Sequence, residues 1–508
     1  MGPRVKWPWP SIASKAFKPN LAASKNILLQ AGRLKPPKGA EPRLNPLRVP
    51  ISMSAQNSLD QSPNTSRPLE GLGWSIGVFL IALAFRLTIQ ILTLPSLLAD
   101  RDAYRRLAQT LYATGTFGIL DPQGHPVATA YRPPLYPWLL SWLQGFESDL
   151  LPIAILHAIL GACSVTLTFH IAFRLGLSGL QSLVASALVL FDPILLRQST
   201  LVMTETLATF LGLLAWWLAL FLDRKDTLDL AGSGLLGRGQ QIGAAIGLAI
   251  GATLGIACLC RPTALAWALL WGGSELRRNP LRASCLLIGC LLVLLPWWKR
   301  NQSEMGQGLW ATTHGGYTLL LANNPILYEH WETSWSRQWD DDRFHAWWHA
   351  KRIEKNVRSE TDQIACDEIA SDALANALGW QSIRANPVLF FKACAIRLGW
   401  MWAWWPAEHQ THWIVRVAIG IWYAITTTAG FVGLIRLLRR AGSEPKFACW
   451  LPALTLAASL CLVHAVYWSN MRMRAPIIPV ISLLAVYGSR GLSISVPNSP
   501  QRGQVRQV

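Results

Sequence analysis

Charged residues are scarce in this chain of 508 residues: they make up 15% of it, while hydrophobic residues make up 51%. Soluble globular proteins carry about 25% charged residues, so this scarcity excludes an ordinary soluble domain. Tyr is also sparse, with 9 residues against 26 Trp, and such a surplus of Trp is typical of proteins that line lipid–water interfaces. Several apolar runs reach the ~20 residues that cross a hydrocarbon core, which predicts a polytopic membrane protein. The runs are Leu72–Leu98, Leu150–Phe173, Thr206–Leu222, Ile242–Cys258, Cys285–Trp298, Ile414–Leu438, Phe447–Val466 and Ala475–Tyr487.

Cysteine is present but lacks the spacing of a disulfide framework or a zinc site. The nine Cys are scattered singly, mostly inside apolar runs. Cys258 and Cys260 are separated by one residue, which is not a metal-binding spacing. We expect all nine to be small core residues, and we derive no cofactor from them.

The basic N-terminal segment lacks the apolar run of a signal peptide. Residues 1–50 hold ten Lys and Arg against one acid, which accounts for half of the formal net charge of +18. This Pro-rich stretch has no apolar periodicity, so we interpret residues 1–71 as a disordered cytoplasmic tail rather than as a nucleic-acid-binding region. An alternative is that translation starts at Met53. Residues 491–508 are predicted to be a short cytoplasmic tail.

The distribution of Lys and Arg over short loops predicts the orientation. The basic clusters fall on one side if residues 72–490 cross the membrane about ten times, which gives an all-α polytopic fold with both termini cytoplasmic. Two long loops, 99–149 and 299–412, then lie outside. The count requires that Ile383–Trp405 is a helix in the outer interface and not a further crossing. The paired Gly/Pro breaks of an inverted-repeat transporter are missing.

Two acids, Asp100 and Asp102, lie at the outer mouth of the first apolar run. A carboxylate there can act as a general base or hold a divalent cation. Alternatively, the acids cap the helix that follows from Tyr104. Arg132 precedes two prolines that fix the backbone, so it is a candidate phosphate ligand or, equally, an interfacial anchor.

Further polar residues sit at the outer ends of later runs. Glu205 opens an apolar run, where an acid is costly unless it is paired, faces a cavity or caps the helix. Arg472 and Arg474 lie outside, against the positive-inside tendency, so they either bind a lipid-linked phosphate or snorkel. Polar groups that a sugar or acceptor could contact are offered by Arg261, His314, Asn323 and Asn324.

Taken in order, these segments resemble a known superfamily. The motifs are Asp-x-x-x-Tyr-x-x-x-Ala from Asp100, Arg-Pro-Pro-Leu-Tyr-Pro from Arg132, Met-Thr-Glu-Thr-Leu around Glu205, Arg261-Pro262, Pro-Trp-x-x-Arg-Asn from Pro296, and Arg-x-Arg-x-Pro-x-x-Pro from Arg472. Their order over Ser75–Gly488 is similar to that in the membrane glycosyltransferases of the GT-C superfamily. These include the dolichyl-phosphate-mannose protein mannosyltransferases (glycosyltransferase family 39) and the bacterial aminoarabinose transferases.

The resemblance implies roles for individual residues. Asp100, four residues before Tyr104, matches the family's catalytic acid. The family often has a second acid directly after it, where this chain has Arg101, so Asp102 is a secondary candidate. Glu205 matches an acid that in some members helps to hold a metal. Arg472 and Arg474 match basic positions near the carrier phosphate, with Arg132 as a further phosphate ligand and Tyr104 and Tyr136 as sugar or acceptor contacts.

The resulting expectation is a bacterial inner-membrane enzyme with its site on the periplasmic face. It would move a hexose or pentose from a polyprenyl-phosphate donor to a hydroxyl or amine-bearing glycan or lipid, by a single inverting displacement, with a divalent metal as an open option. Its other partners would be membrane lipids and not nucleic acid. The alternatives are a lipid-linked oligosaccharide polymerase or ligase, and a transporter or flippase whose intramembrane candidates are Arg86, His157 and His464.

Overall fold

The computed structural model describes residues 68–145, 149–222, 236–333, 341–355, 357, 368–406, 412–443 and 446–489. The predicted tails lie outside these residues, except that the first helix begins at Pro68, inside the end of the predicted N-terminal tail. The described residues from Trp74 onward form one compact unit.

The described part of the chain is almost entirely α-helical, which confirms the predicted fold class. One short antiparallel hairpin, β1 (Gly118–Leu120) and β2 (Pro126–Ala128), interrupts the helices. The helices are α1 Pro68–Leu92, α2 Tyr104–Thr114, α3 Leu135–Ser141, α4 Leu150–Arg174, α5 Gly179–Leu190, α6 Pro193–Ser199, α7 Glu205–Leu222, α8 Leu236–Cys260, α9 Ala264–Leu276, α10 Pro280–Met305, α11 Gly315–Ala322, α12 Pro325–Thr333, α13 Asp341–Glu354, α14 Glu368–Ala385, α15 Pro387–Met401, α16 Trp413–Arg439, α17 Phe447–Val466 and α18 Ile478–Gly488.

Helix starts follow from local sequence. Ser178 and Gln181 form a reciprocal capping box at α5. Asp192 and Asn279 each accept a backbone N–H three residues on, ahead of a proline at the first helical position of α6 and α10. The Asp192-Pro193 break separates α5 from α6 and bends the pair by 50°.

Within the described residues, seven helices are long and apolar enough to span a membrane, and the bent α5–α6 pair would make an eighth. The predicted count of about ten is therefore approximate. The difference between eight and ten corresponds to α7 and α9, which are apolar but have only 18 and 13 residues. At 1.5 Å per residue, α9 is about 20 Å long, shorter than a ~30 Å hydrocarbon core.

The segment Ile383–Trp405, predicted to lie in the interface, is not one continuous helix. Asn386 and Pro387 separate α14 from α15, and α15 has 15 residues. It is not among the helices that are long enough to span, which agrees with a non-crossing segment. Its position relative to a membrane remains a prediction.

Close helix packing depends on a glycine ladder. Gly247, Gly251 and Gly255 on α8 face the α10 backbone so closely that an added Cβ at any of them would overlap a carbonyl oxygen or its carbon. In membranes, small residues at four-residue spacing allow two helix backbones to approach. The α8–α10 pair thus fixes both the Arg261 turn that follows α8 and the segment that follows α10.

Candidate functional site

The first long loop turns back on Asp100. Ala103 adopts a left-handed conformation (φ 59°) just before α2, and the carboxylate of Asp100 accepts the backbone N–H groups of Arg105 (3.1 Å) and Arg106 (3.0 Å). Asp100 therefore satisfies two of the donors that a helix start leaves unpaired. It remains partly exposed, so both readings of this residue, cap and base, remain compatible with its position.

Asp102 and Arg132 form an ion pair. The Arg132 guanidinium donates to the Asp102 carboxylate at 2.7 Å and to its backbone carbonyl at 3.1 Å. It also lies over the rings of Tyr131 and Tyr104, at 4.5 and 5.7 Å from their centroids. Two of the predicted residues are thus brought together, and Arg132 is held by an acid and two aromatic faces.

A second charged cluster joins three elements that are distant in sequence. Glu205 is the first residue of α7 and its side chain is 2% exposed. Arg261, in the turn after α8, approaches its Oε1 at 3.0 Å, and Arg472, between α17 and α18, approaches the same oxygen at 3.7 Å. One buried carboxylate therefore faces two guanidinium groups. We call Glu205, Arg261 and Arg472 the arginine cluster; it carries an excess of one positive charge.

Two tyrosines connect the two charged groups. Tyr104 packs edge-on against Tyr136, with 5.3 Å between ring centroids, and the Tyr136 hydroxyl bonds to His157 Nε2 at 2.7 Å. Burial raises the pKa of the Tyr104 phenol, and the charges of Arg132, Asp102, Glu205 and Arg261 all act on it. Tyr104 therefore lies within electrostatic range of both the Asp102–Arg132 pair and the arginine cluster.

His464 lies near the arginine cluster, whereas the sequence analysis considered it only as an intramembrane candidate. It is buried in the last turn of α17, where its Nδ1 bonds to the Trp468 carbonyl at 3.0 Å. Its Nε2 has no hydrogen-bond partner among the described residues, and it lies within electrostatic range of Arg261, Arg472 and Glu205. A single His in an apolar run gives no signal of such a position.

Arg474 lies apart from the arginine cluster although it is only two residues from Arg472. It is fully buried, donates to the carbonyls of Met401 (3.0 Å) and Ala403 (2.8 Å) and stacks on the ring of Tyr423 at 4.2 Å. These carbonyls belong to the end of α15. The guanidinium thus closes a helix end, and a phosphate would have to compete with these bonds.

The predicted polar residues of the second long loop are divided between two environments. Asn323 and Asn324 are fully buried: the Asn323 side chain bonds to the Val466 carbonyl and the Tyr328 hydroxyl, and Asn324 caps α12 through the N–H of Leu327. In contrast, His314 lies beside the Asp102–Arg132 pair, 4.5 Å from the ring of Tyr131. Burial, and the nearby charge of Arg132, lower the pKa of His314 to about 3.

Glu368 was not singled out by the sequence, yet it ties the two long loops together. Its carboxylate accepts the hydroxyls of Thr129 (2.6 Å) and Thr313 and the backbone N–H of Ala130 (3.1 Å). Glu368 lies in a loop that is rich in acids, so the sequence provided no reason to prefer it over the others. The contact holds the chain just before Arg132 against the segment that carries His314.

The described donor set does not fit a metal ion at Glu205. Its carboxylate faces two guanidinium groups, and a divalent cation placed there would meet two positive charges at close range. The described residues also contain no group of three or more His, Cys, Asp or Glu side chains that could hold a metal ion. We therefore assign no metal-binding role to Glu205.

Comparison with known proteins gives one family match. Residues 132–299 match the family model described as dolichyl-phosphate-mannose-protein mannosyltransferase. This segment carries Arg132, Tyr136, Glu205 and Arg261 of the site. The match confirms the predicted resemblance to the GT-C superfamily. No curated protein matches the chain.

Solved structures with a similar course of the chain include two kinds of protein. The archaeal oligosaccharyltransferase AglB from Archaeoglobus fulgidus, in complex with an inhibitory peptide and a dolichol-phosphate, is 16% identical, with 81% of this chain and 50% of that chain covered and a TM-score of 0.46. ArnT from Cupriavidus metallidurans, bound to undecaprenyl phosphate, is 12% identical, with 83% and 77% covered and a TM-score of 0.35. This chain thus spans about half the length of the oligosaccharyltransferase.

Proposed function

We propose that this integral membrane protein is a glycosyltransferase that takes a sugar from a polyprenyl-phosphate donor and transfers it to a hydroxyl or amine of a glycan or lipid. The proposal rests above all on the arginine cluster, in which two guanidinium groups converge on one buried carboxylate. The match of residues 132–299 to a family named for a dolichyl-phosphate-mannose donor supports the same donor class.

The arginine cluster suits a phosphate because its charges do not cancel. Glu205 neutralises one guanidinium and fixes the positions of both, so one positive charge is left over. The Arg472 side chain is 35% exposed, against 16% for Arg261 and 2% for Glu205, so it is the member that an incoming anion would reach. A carrier phosphate bound there would form charge-assisted hydrogen bonds with a guanidinium that is already held in place. Of the other two predicted phosphate ligands, Arg132 would need to release Asp102 first, and Arg474 would need to release the carbonyls of Met401 and Ala403.

Asp100 is the proposed base. Its carboxylate is oriented by the N–H groups of Arg105 and Arg106, and each oxygen keeps a lone pair beyond the bond that it accepts. Tyr136 lies within electrostatic range of both Asp100 and Glu205, so the base and the arginine cluster flank the same pair of tyrosines. Asp102 is the weaker candidate, because its carboxylate is already paired with Arg132.

The chemistry is a single displacement at the anomeric carbon. Asp100 takes the proton of the acceptor O–H as the acceptor oxygen forms its bond to the anomeric carbon from one face. The bond from that carbon to the phosphate oxygen breaks on the opposite face, and its electron pair stays on the polyprenyl phosphate. The leaving group departs as a stable anion, so no general acid is needed. Arg472 and Arg261 stabilise the charge that develops there, and such preorganised electrostatics commonly lower a barrier by about 3 kcal/mol.

The placement of the site on the outer face of a bacterial inner membrane belongs to the proposal. It is supported by the Lys and Arg residues of the short loops, which the positive-inside tendency assigns to the cytoplasm. A lipid-borne donor accounts for a site built at the ends of membrane helices: the prenyl chain would lie between helices while the sugar projects among the loops.

The experiment is transfer of labelled sugar from a panel of polyprenyl-phosphate sugars in proteoliposomes. Wild type is compared with Asp100→Asn, which keeps one side-chain oxygen for capping α2 but cannot accept a proton at neutral pH. We expect a loss of at least ~100-fold, the contribution of a general base. Asp121→Asn is the matched control, because Asp121 also accepts backbone N–H groups, those of Gln123 and His125, in a turn of the same loop.

The outcomes separate the readings. Full activity of Asp100→Asn would refute Asp100 as the base while leaving the reaction class intact. A wild-type protein that joins preassembled lipid-linked oligosaccharides, but transfers no single sugar, would be a polymerase or ligase. Movement of a lipid-linked sugar across the bilayer without transfer would assign the chain to the flippase class.

A further inference from the structure

A polar cleft lies at the end of the helix bundle opposite the arginine cluster. Helix α9 begins three residues after Arg261 and ends at Leu276, so its two ends are about 20 Å apart. At its far end, a cavity of about 180 Å³ opens between the ends of α7, α9, α10 and α17. It is lined by Trp271, Glu275, Arg278, Asn279 and Arg282, together with apolar residues of α7 and α17. We call it the α9 cleft.

Trp271 brings an unsatisfied donor to the α9 cleft. Two neighbouring buried indoles are satisfied by α17: Trp216 donates to the Cys449 carbonyl at 2.8 Å and Trp267 to the Pro452 carbonyl at 2.9 Å. Trp271 is 1% exposed and stacks on Trp267, but its Nε1–H meets no acceptor among the described residues. Because a buried indole N–H normally finds a partner, this donor indicates an acceptor that comes from outside the chain.

Glu275, one turn after Trp271, brings a carboxylate to the same cleft. The residue is 8% exposed, and among the described residues no cation forms an ion pair with it. The cations of the cleft, Arg278 and Arg282, stand at its rim, where Arg278 is exposed and Arg282 is half-buried. The cleft thus offers a carboxylate inside, with the exposed guanidinium of Arg278 and an indole donor beside it.

We propose that the α9 cleft binds the headgroup of a phosphatidylethanolamine-type lipid. This headgroup carries a phosphodiester and a primary ammonium a few bonds apart. The ammonium would bind Glu275, and the phosphate would accept the Trp271 N–H and the guanidinium of Arg278. A choline headgroup has no N–H to donate to Glu275, and an anionic headgroup without an amine would leave Glu275 unpaired.

The location favours a lipid over a free metabolite. The cleft lies at the end of spanning helices, where headgroups are concentrated, and basic pockets between membrane helices commonly hold lipid headgroups. Its apolar lining, from Ala219, Leu220 and Pro452, would continue toward the acyl chains. A bound lipid would join the ends of four helices. Its binding does not depend on the proposed transferase reaction.

The test is native mass spectrometry of the delipidated full-length protein, titrated with phosphatidylethanolamine, phosphatidylcholine, phosphatidylglycerol and soluble O-phosphoethanolamine. We expect phosphatidylethanolamine to bind at least about tenfold more tightly than phosphatidylcholine, since a charge-assisted hydrogen bond is gained. Glu275→Gln should abolish that preference, and Trp271→Phe and Arg278→Gln should weaken both lipids alike. Arg277→Gln is the matched control: it removes an adjacent exposed charge that does not line the cleft.

Equal affinity of the wild type for the two zwitterionic lipids would overturn the proposal, as would a Glu275→Gln protein that keeps the preference. Soluble O-phosphoethanolamine binding as tightly as the lipid would overturn the lipid assignment in favour of a free aminophosphate. Each variant must elute as a single species on size exclusion. If Glu275→Gln does not fold, Glu275→Asp decides, because it keeps the charge but shortens its reach and should reduce the preference without removing it.

Discussion

Six buried or half-buried arginines of this protein form two groups that differ in what they bind. Arg86, Arg397 and Arg474 donate to backbone carbonyls, those of Val189 and Leu195, Ala322 and Ala465, and Met401 and Ala403. Arg132, Arg261 and Arg472 instead face the carboxylates of Asp102 and Glu205. We call the two groups the carbonyl arginines and the carboxylate arginines.

If the proposed function holds, the two groups differ in role as well as in partner. Most of the carbonyls lie in the last turn of a helix, where acceptors are unpaired and the helix dipole is negative, so a cation there completes the fold. The carboxylate arginines lie in or beside the two long loops. Their three guanidinium groups face only two carboxylates, so one positive charge is not neutralised. The segment Arg472-Met-Arg474 contains one arginine of each kind.

The largest expected effect comes from removing a carbonyl arginine. Arg474→Gln loses two charge-assisted hydrogen bonds to buried carbonyls, so we expect the free energy of unfolding to fall by about 4 kcal/mol. Arg472→Gln, two residues earlier, removes a partly exposed charge and should change it by less than about 1 kcal/mol, while sugar transfer is lost. Thermal unfolding followed by size exclusion, and sugar transfer, are measured on both.

The two variants serve as controls for each other, since each removes one guanidinium from the same 3₁₀ segment, Met471–Ile477. If both variants were equally stable, the carbonyl bonds of Arg474 would contribute little. If Arg474→Gln folded normally and lost only transfer, Arg474 would belong with the carboxylate arginines, as the sequence motif implies.

The coupling inside the arginine cluster gives the next effect. In Arg261→Gln, the buried Glu205 carboxylate keeps only the more distant Arg472, so we expect a loss of about 2 kcal/mol in the free energy of unfolding. Adding Glu205→Gln removes the carboxylate charge that has lost its nearer partner and should restore about half of that loss. A double-mutant cycle from unfolding midpoints measures this coupling, and simple additivity of the two changes would show that the residues do not act as a pair.

The two groups of arginines also show which features the sequence predicts and which it does not. Composition and apolar runs predicted the helical membrane fold, because burial in lipid demands long apolar helices. Motif order predicted that Asp100, Arg132, Glu205 and Arg472 belong to one end of the protein. The charges of the first three act on Tyr104 or Tyr136, and Arg472 faces Glu205.

The sequence could not predict which group each polar side chain binds. Arg474 and Asn323 bind carbonyls contributed by residues 71 and 143 positions away in the chain, respectively. No local pattern records such partners, so a polar residue at a helix mouth has the same appearance whether it binds substrate or closes another helix. For the same reason Glu368 was missed, and His464 was named only as an intramembrane candidate of the transporter alternative. The residues that they face, Thr129 for Glu368 and Arg261 for His464, are remote in sequence.

A smaller effect is expected from pH, through the His that lies beside a carboxylate arginine. The folded-state pKa of His314 is about 3, below its ordinary 6.5, chiefly through burial and also through Arg132. The unfolded chain therefore takes up a proton as the pH falls below 6.5 while the folded protein does not. The stability that neutral His314 contributes is complete above pH 6.5 and is lost toward pH 3, by at most about 1.4 kcal/mol per pH unit.

His314→Gln removes this titration, so its unfolding midpoint should fall less steeply than that of the wild type between pH 6.5 and 5. Unfolding at a series of pH values measures the two slopes. Parallel slopes would mean that His314 titrates normally, and would argue against its close packing with Arg132 and Tyr131.

The smallest effect concerns Ala103, whose left-handed backbone turns Asp100 and Asp102 toward their partners. That conformation costs a non-glycine residue about 1 kcal/mol, and Ala103→Gly removes the cost but makes the unfolded chain more flexible. We expect a change of less than about 1 kcal/mol in the free energy of unfolding, together with a several-fold fall in transfer, because the loop that carries Asp100 becomes less rigid. Ala103→Asn is the control: asparagine tolerates the left-handed conformation without the flexibility of glycine, so it should preserve transfer. If Ala103→Gly transferred as fast as the wild type, the turn would serve only to start α2, and the position of Asp100 would depend on its two backbone hydrogen bonds alone.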